Sequence, residues 1–300
     1  MTALLRPEGP TPDDATLTRR GLVGASSLAG YAVFSSSADA QPITTDTEGL
    51  VAGDVRIPTR DGTIPGYSAR PDRRGRTPVV VVVSEVFGVH EYIRDVCRRL
   101  AKAGYVAIAP DFFSRAGDPS QLTEMAEIQR IVATATNEQV MNDIAATLGF
   151  MRRQSYADVR RLGITGFCWG GAVVWMAASR FRDFDAGVAW YGRLAPPETA
   201  NYLSAEQRAW PLQVAPEINT PVLGLYAEND RGIPLTQVEQ MRTELRRFGK
   251  RGSEIIVYPG AQHGFHADYR NTYDPEDAAD GWRRLLAHFD RYLRPRGLFG

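Results

Sequence analysis

One of the two cysteines in this 300-residue sequence sits where it could act as a nucleophile. Cys168 lies in Gly166-Phe167-Cys168-Trp169-Gly170-Gly171, behind a run that reads as a strand and ahead of one that reads as a helix. That is the context of a nucleophile elbow, G-x-S-x-G, with sulfur replacing the serine oxygen. The steric need is specific. The reactive residue occupies a sharp turn, and side chains two positions to either side would strike it. Gly166 and Gly170 meet that need, and Gly171 lets the helix pack close to the sheet. The turn would present the sulfur beside a helix N-terminus, which favours thiolate over a thiol of free pKa about 8.5. The backbone N–H of Trp169 would face a developing oxyanion. The alternative is a glycine-rich turn around an incidental buried cysteine.

In such a fold the acid and the histidine follow the nucleophile along the chain, each just past a strand. Val222–Tyr226 reads as a strand and leads into Ala227-Glu228-Asn229-Asp230. Glu254–Tyr258 reads as the next and leads into Pro259-Gly260-Ala261-Gln262-His263-Gly264-Phe265. Of the four histidines, His90 precedes the nucleophile, His288 lies inside the last helix, and His266 lies further past the strand than His263. His263 is therefore the predicted base, with His266 as the alternative. Asp230 is the predicted acid, holding the imidazole in its tautomer, and Glu228 is the alternative in the same loop.

The elements needed to position these groups can be read from the pattern. Ala52–Ile57 and Ile64–Ala69 flank a hairpin-like turn, Arg60-Asp61-Gly62-Thr63. Pro78–Val83 is a continuous β-branched run of the kind buried on both faces of a parallel sheet. Ile93, Val96, Cys97 and Leu100 fall on one helical face that Gly104 ends, so Cys97 reads as a core residue. Further strands are predicted at Tyr105–Ala109, Leu162–Gly166 and Ala186–Trp190. Helices are predicted around Val140–Met151, Ala172–Ser179, Val238–Phe248 and Trp282–Phe289. Alternation of strand and helix over this length predicts one α/β domain, a mostly parallel sheet with helices on both faces, over residues 50–295. Pro196–Pro216 reads as an excursion that either walls a pocket or is a surface loop.

Basic and acidic residues balance, so no net field favours nucleic acid or an acidic membrane. Two distant cysteines exclude a disulfide scaffold and a CxxC redox pair. No apolar run is long enough to span a bilayer. The N-terminus reads as an export signal over residues 1–40. Paired arginines in Thr18-Arg19-Arg20-Gly21-Leu22-Val23 precede an apolar stretch and then Ala38-Asp39-Ala40, an A-x-A-type cleavage site. This resembles a twin-arginine signal and predicts a periplasmic or exported enzyme beginning near Gln41. The alternative is a cytoplasmic leader.

Taken together, Ser84-Glu85-Val86-Phe87-Gly88-Val89, Ala109-Pro110-Asp111-Phe112-Phe113, the Cys168 turn and His263-Gly264-Phe265 resemble the dienelactone hydrolase family, carboxymethylenebutenolidase-like members of the α/β-hydrolase superfamily. The similarity runs from about residue 52 to 294. It implies the α/β-hydrolase fold and hydrolysis of a small ester or lactone. Glu85 matches the family's buried glutamate, which takes the thiol proton once substrate binds. A carboxylate ending a buried strand is costly unless paired, which points to the same residue. Val86 matches the second backbone donor to the oxyanion, and Tyr191 an aromatic residue near the pocket. The family's two carboxylate-binding arginines have no clear counterparts. One falls on Ala267, with Arg270 nearby but offset, and the candidate for the other is Arg130.

The expected chemistry is acyl transfer to water through a thioester on Cys168, with no metal or organic cofactor. The expected partner is a small-molecule ester or lactone. Rival readings are hydrolysis of another acyl substrate, such as a thioester or aryl ester, a non-catalytic small-ligand binder, and thiol redox work.

Overall fold

The computed structural model describes residues 42–197, 201, 203 and 208–293. The candidate leader lies outside them. Leu50–Thr59 (β1) and Gly62–Pro71 (β2) form an antiparallel hairpin joined at the predicted turn. Thr77–Val83 (β3) and Val106–Pro110 (β4) flank the helix Glu91–Lys102 (α1). Met125–Thr134 (α2) and Asn137–Arg152 (α3) precede Ala157–Phe167 (β5) and Trp169–Arg180 (α4). Ala186–Trp190 (β6), Val222–Ala227 (β7), Leu235–Arg247 (α5), Glu254–Tyr258 (β8) and Pro275–Leu293 (α6) complete the chain.

The eight strands form one sheet in the order β1-β2-β4-β3-β5-β6-β7-β8. From β4 to β8 every neighbour is parallel, while β2 pairs antiparallel with both β1 and β4. The connections leaving β3 and β5 run to opposite sides of the sheet, and ligand crevices in open α/β sheets form at the C-terminal edge of such a switch point. Val79 to Val83 are all fully buried, as a central strand covered on both faces requires. Cys97 is fully buried on the core face of α1, as its spacing predicts.

Two differences from the sequence reading have physical causes. Strand β5 starts at Ala157, ahead of the predicted Leu162, because it continues through the polar run Asp158–Arg161 past a register shift opposite Pro78 and Val79. Helix α4 starts at Trp169 and not at Ala172, although Gly170 and Gly171 are poor helix formers. Tertiary packing overrides that preference. A Cβ on Gly170 would run into the Val83 and Ser84 carbonyls of the β3 end, and one on Gly171 into the Trp190 carbonyl of β6. The helix can therefore press its first turn between two strand ends only with glycine there.

Gly170→Ala is expected to destabilise the fold by about 1–3 kcal/mol, the usual range for overpacking. Urea unfolding of the two proteins checks this. An alanine variant as stable as the parent would mean the helix start is not confined as described.

Candidate active site

Cys168 joins β5 to α4 in an unusual backbone conformation, φ 54° and ψ −113°. Only two non-glycine residues among those described have positive φ, Cys168 and Tyr191. Such a conformation costs about 1–3 kcal/mol and persists only where the surroundings enforce it. They do so here. The Cys168 N–H donates to the Trp190 carbonyl at 3.0 Å, and a Cβ on Gly166 would strike the Gly170 carbonyl. The thiol is thereby lifted to the head of α4, half-buried, on the wall of a cavity.

His263 comes from the loop after β8, and its Nδ1 lies 2.6 Å from Oδ2 of Asp230, in the loop after β7. That bond places the proton on Nδ1 and leaves Nε2 free of Asp230, and the imidazole is near enough to Cys168, on the same cavity wall, to be coupled to it electrostatically. Asp230 is buried, and its Oδ1 accepts the Gly232 N–H at 2.8 Å, which fixes the carboxylate. Burial pulls the His263 pKa down, but the negative Cys168 sulfur and the Asp230 hydrogen bond outweigh it, and the value rises to about 10.

The other histidines are placed elsewhere. His266 is buried, with Nδ1 2.6 Å from the Tyr92 hydroxyl and its ring against Trp190 and Phe167. Burial, with Arg99 adding to it, pushes its pKa well below 6.5. His90 precedes α1 and is likewise buried; burial lowers its pKa to about 4 against the opposing pull of Glu85. His288 meets the Pro221 carbonyl at 3.2 Å. Glu228 turns away from the imidazole, and its Oε2 accepts the Gly260 N–H at 2.7 Å.

The cavity above Cys168 has a volume of about 350 Å³. Val86, Trp169 and Tyr191 line it together with Cys168, His263 and Asp230. Trp169 is the first residue of α4, where backbone N–H groups have no partner within the helix. Tyr191 is fully buried, its ring edge-on to His263 at 5.1 Å between centroids. The Pro196–Pro216 excursion does wall the pocket: Leu203, Arg208, Trp210 and Pro211 form its far side. Three arginines line the cavity, Arg193, Arg208 and Arg231, and Asp230 is the one acid among the described lining residues.

Glu85 is not on the cavity wall. It is fully buried behind it, and the Tyr269 hydroxyl donates to its Oε2. Arg270 Nη2 lies 3.3 Å from Oε1, and His90 Nε2 3.9 Å from Oε2. Arg270 also feels the Cys168 charge, so this cluster is electrostatically continuous with the nucleophile.

Residues 64–293 match the Dienelactone hydrolase family, most of the chain. The chain belongs to that family. It is a hydrolase with the α/β-hydrolase fold. A protein of Methylorubrum extorquens named "Putative carboxymethylenebutenolidase" is 46% identical over 279 residues, covering 92% of this chain and 94% of that one. A Bradyrhizobium protein named "Probable 2-oxo-3-(5-oxofuran-2-ylidene)propanoate lactonase" is 30% identical over 247 residues, 82% of this chain and 97% of its own. The crystal structure titled "Putative Dienelactone Hydrolase from Klebsiella pneumoniae subsp. pneumoniae MGH 78578" superposes with a TM-score of 0.75 at 43% identity, covering 81% of this chain and 99% of that one.

Within the family pattern, the arginines fall differently from the sequence expectation. Arg130 sits on the outer side of α2, its Nε donating to the Ala126 carbonyl at 3.3 Å, and does not line the cavity. Ala267 is fully buried. Arg270 takes the place beside Glu85 because the intervening loop is tightly coiled. The Gly264 carbonyl accepts the Ala267 N–H at 2.8 Å, and the Ala267 carbonyl accepts the Arg270 N–H at 2.9 Å. Gly264 has φ 82°, and a Cβ there would meet the Arg270 side chain. Residue spacing alone could not reveal this; a glycine directly after His263 was the one available sign of a tight coil. The lining arginines Arg193 and Arg208 were also missed, because they sit on irregular chain with no periodicity to place them.

An NMR titration of the histidines should show His263 holding its proton to about pH 10, and its pKa should fall in Cys168→Ala, which removes the largest charge sustaining it. His90 should stay neutral down to about pH 4. A His263 value unchanged by Cys168→Ala would separate the two groups electrostatically.

Proposed function

We propose that the chain hydrolyses small carboxylic esters or lactones by a Cys–His–Asp mechanism. The observation that carries this reading is that His263 bonds Asp230 and is coupled electrostatically to Cys168 at the wall of one cavity. The Cys168 thiolate attacks the acyl carbon, and a C–S bond forms as the carbonyl π pair moves to oxygen. The backbone N–H groups of Trp169 and Val86 are suited to hold that oxyanion. The oxyanion collapses, the C–O bond of the leaving alcohol breaks, and His263 supplies its proton. For a lactone the alcohol stays tethered to the acyl group. Water then attacks the thioester, His263 takes its proton, and the C–S bond breaks to return Cys168. Asp230 keeps the imidazole in the required tautomer throughout.

Glu85 is the acceptor that the family resemblance suggests for the thiol proton. Its pairing with Arg270 and Tyr269 keeps it behind the cavity wall before substrate enters. The lactonase name of the Bradyrhizobium relative agrees with an oxygen-ester substrate class. The cavity lining narrows that class. Trp169, Val173, Met176, Leu203, Trp210 and Ile233 offer apolar surface for an acyl group. Three arginines share that lining with a single acid, Asp230, which is committed to His263. A lining with more arginines than acids favours a substrate that brings its own negative charge, with carboxylate geometry suited to the arginine fork.

Cys168→Ala should lower kcat/KM on an activated aryl ester by at least about a thousandfold while leaving the fold intact, as loss of a nucleophile does in triad enzymes. Stopped-flow release of the alcohol, with mass detection of the acyl adduct on the parent, reads this. Equal rates in the two proteins would discard the mechanism. Arg193→Ala should raise KM for a carboxylate-bearing ester by about tenfold, the size of one charge-assisted hydrogen bond. The neutral ester of the same skeleton should be unaffected. A matched loss on both esters would show that Arg193 does not read charge.

A further inference from the structure

A buried ionic cluster lies on the far side of the loop that carries His263, and the segment preceding β1 closes it. Asp95 of α1 and Asp268 of the loop are each about 1% exposed. Arg99 bridges them, with Nε 2.5 Å from Asp95 Oδ2 and Nη2 2.6 Å from Asp268 Oδ2. Arg98 Nη2 adds a contact to Asp95 Oδ1 at 3.1 Å, but among the described residues Asp268 has no side-chain cation besides Arg99, and a buried carboxylate needs further donors. Residues 43–46 supply them from the backbone. The Ile43 N–H donates to Asp268 Oδ2 at 3.2 Å, and the Thr45 N–H to Asp95 Oδ1 at 2.5 Å. One residue on, Asp46 pairs with Lys102 Nζ at 2.6 Å in the last turn of α1. The segment is thus a strap laid across α1 and the loop, stitched to each.

What the strap holds gives it a consequence for the site. Asp268 is followed directly by Tyr269 and Arg270, the two residues that grip Glu85. The same loop is braced back to His263, whose carbonyl accepts the Thr272 hydroxyl at 2.8 Å, and Asp274 N–H donates to the Phe265 carbonyl at 2.9 Å. Residues 263–274 therefore move as a unit, with Asp268 as the point anchored from behind.

We propose that Asp268 is a positioning residue, clamped by the strap at residues 43–46 through Arg99, and that this clamp sets the placement of Tyr269, Arg270 and His263 for the reaction proposed above. At residues 43 and 45 the strap uses main-chain donors, and the Ile43 side chain is 44% exposed. It begins just after Ala38-Asp39-Ala40 in the sequence, so cleavage there would leave it whole.

Proline lacks the N–H and tests this directly. The full chain carrying Ile43→Pro and Thr45→Pro is compared with one carrying Ile43→Ala and Thr45→Ala, which keeps both donors. In the proline variant, amide hydrogen exchange over residues 264–270 should rise by about tenfold with β3 and β5 unchanged, the signature of local opening. On an activated ester its kcat should fall by about tenfold with KM within about twofold, the pattern of misplaced catalytic groups. The alanine variant should match the parent in both. Unchanged exchange in the loop of the proline variant, or an unchanged kcat despite faster exchange, would overturn the proposal. So would an alanine variant as impaired as the proline one. The exchange measurement needs no substrate, so a parent inactive on every ester would refute the hydrolase reading while still deciding whether the strap holds the loop.

Discussion

Everything at the site depends on how closely α4 is driven between the ends of β3 and β6. Carbonyls of both strands occupy the space where side chains at 170 and 171 would stand. The approach leaves Cys168 no room for an ordinary conformation and forces it to φ 54°. That strain is what lifts the sulfur out of the sheet. A longer connection could reach the same point without strain, but it would also be free to move. Strain enforced by close packing gives the Cys168 sulfur one position, and the histidine can then be delivered from a distant loop with a fixed target.

That delivery raises an electrostatic problem, which the structure solves by layers. Cys168, Asp230 and Glu85 bring three acidic groups close together, two of them buried. His263 bonds Asp230 on the cavity wall that Cys168 also lines, and Arg270 stands beside Glu85. The cavity guanidiniums add positive charge on the open side. Behind the wall Glu85 is paired with Arg270, and in front of it three arginines and one acid share the lining.

How much of this could be read from sequence follows from how local each constraint is. The elbow was legible because its steric demand falls on glycines two residues away. Asp230 and His263 were legible because the fold fixes their order and places each just past a strand, and the rejected alternatives His266 and Glu228 prove to be engaged elsewhere. Arg270 was not legible as the partner of Glu85, because coiling after Gly264 brings it back where an extended loop would have presented residue 267. The start of α4 was misplaced because propensity penalises the very glycines that tertiary contact requires. The strap left no trace, since backbone N–H groups are carried by nearly every residue and only the position of an acceptor makes one matter.

The last constraint joins the two ends of the domain. The loop bearing His263 runs from β8 at the sheet edge to α6, whereas α1 packs on β2 and β4, on the other side of β3. Side chains bridge that gap in a buried layer: Tyr92 to His266, Arg99 to Asp268, Tyr269 to Glu85. Each contact pairs a residue from the first half of the chain with one from the catalytic loop. The loop is therefore held to α1 and the β3 end as well as by its own internal hydrogen bonds. Since β3 also confines the elbow, Cys168 and the loop that carries His263 are tied to the same strand end.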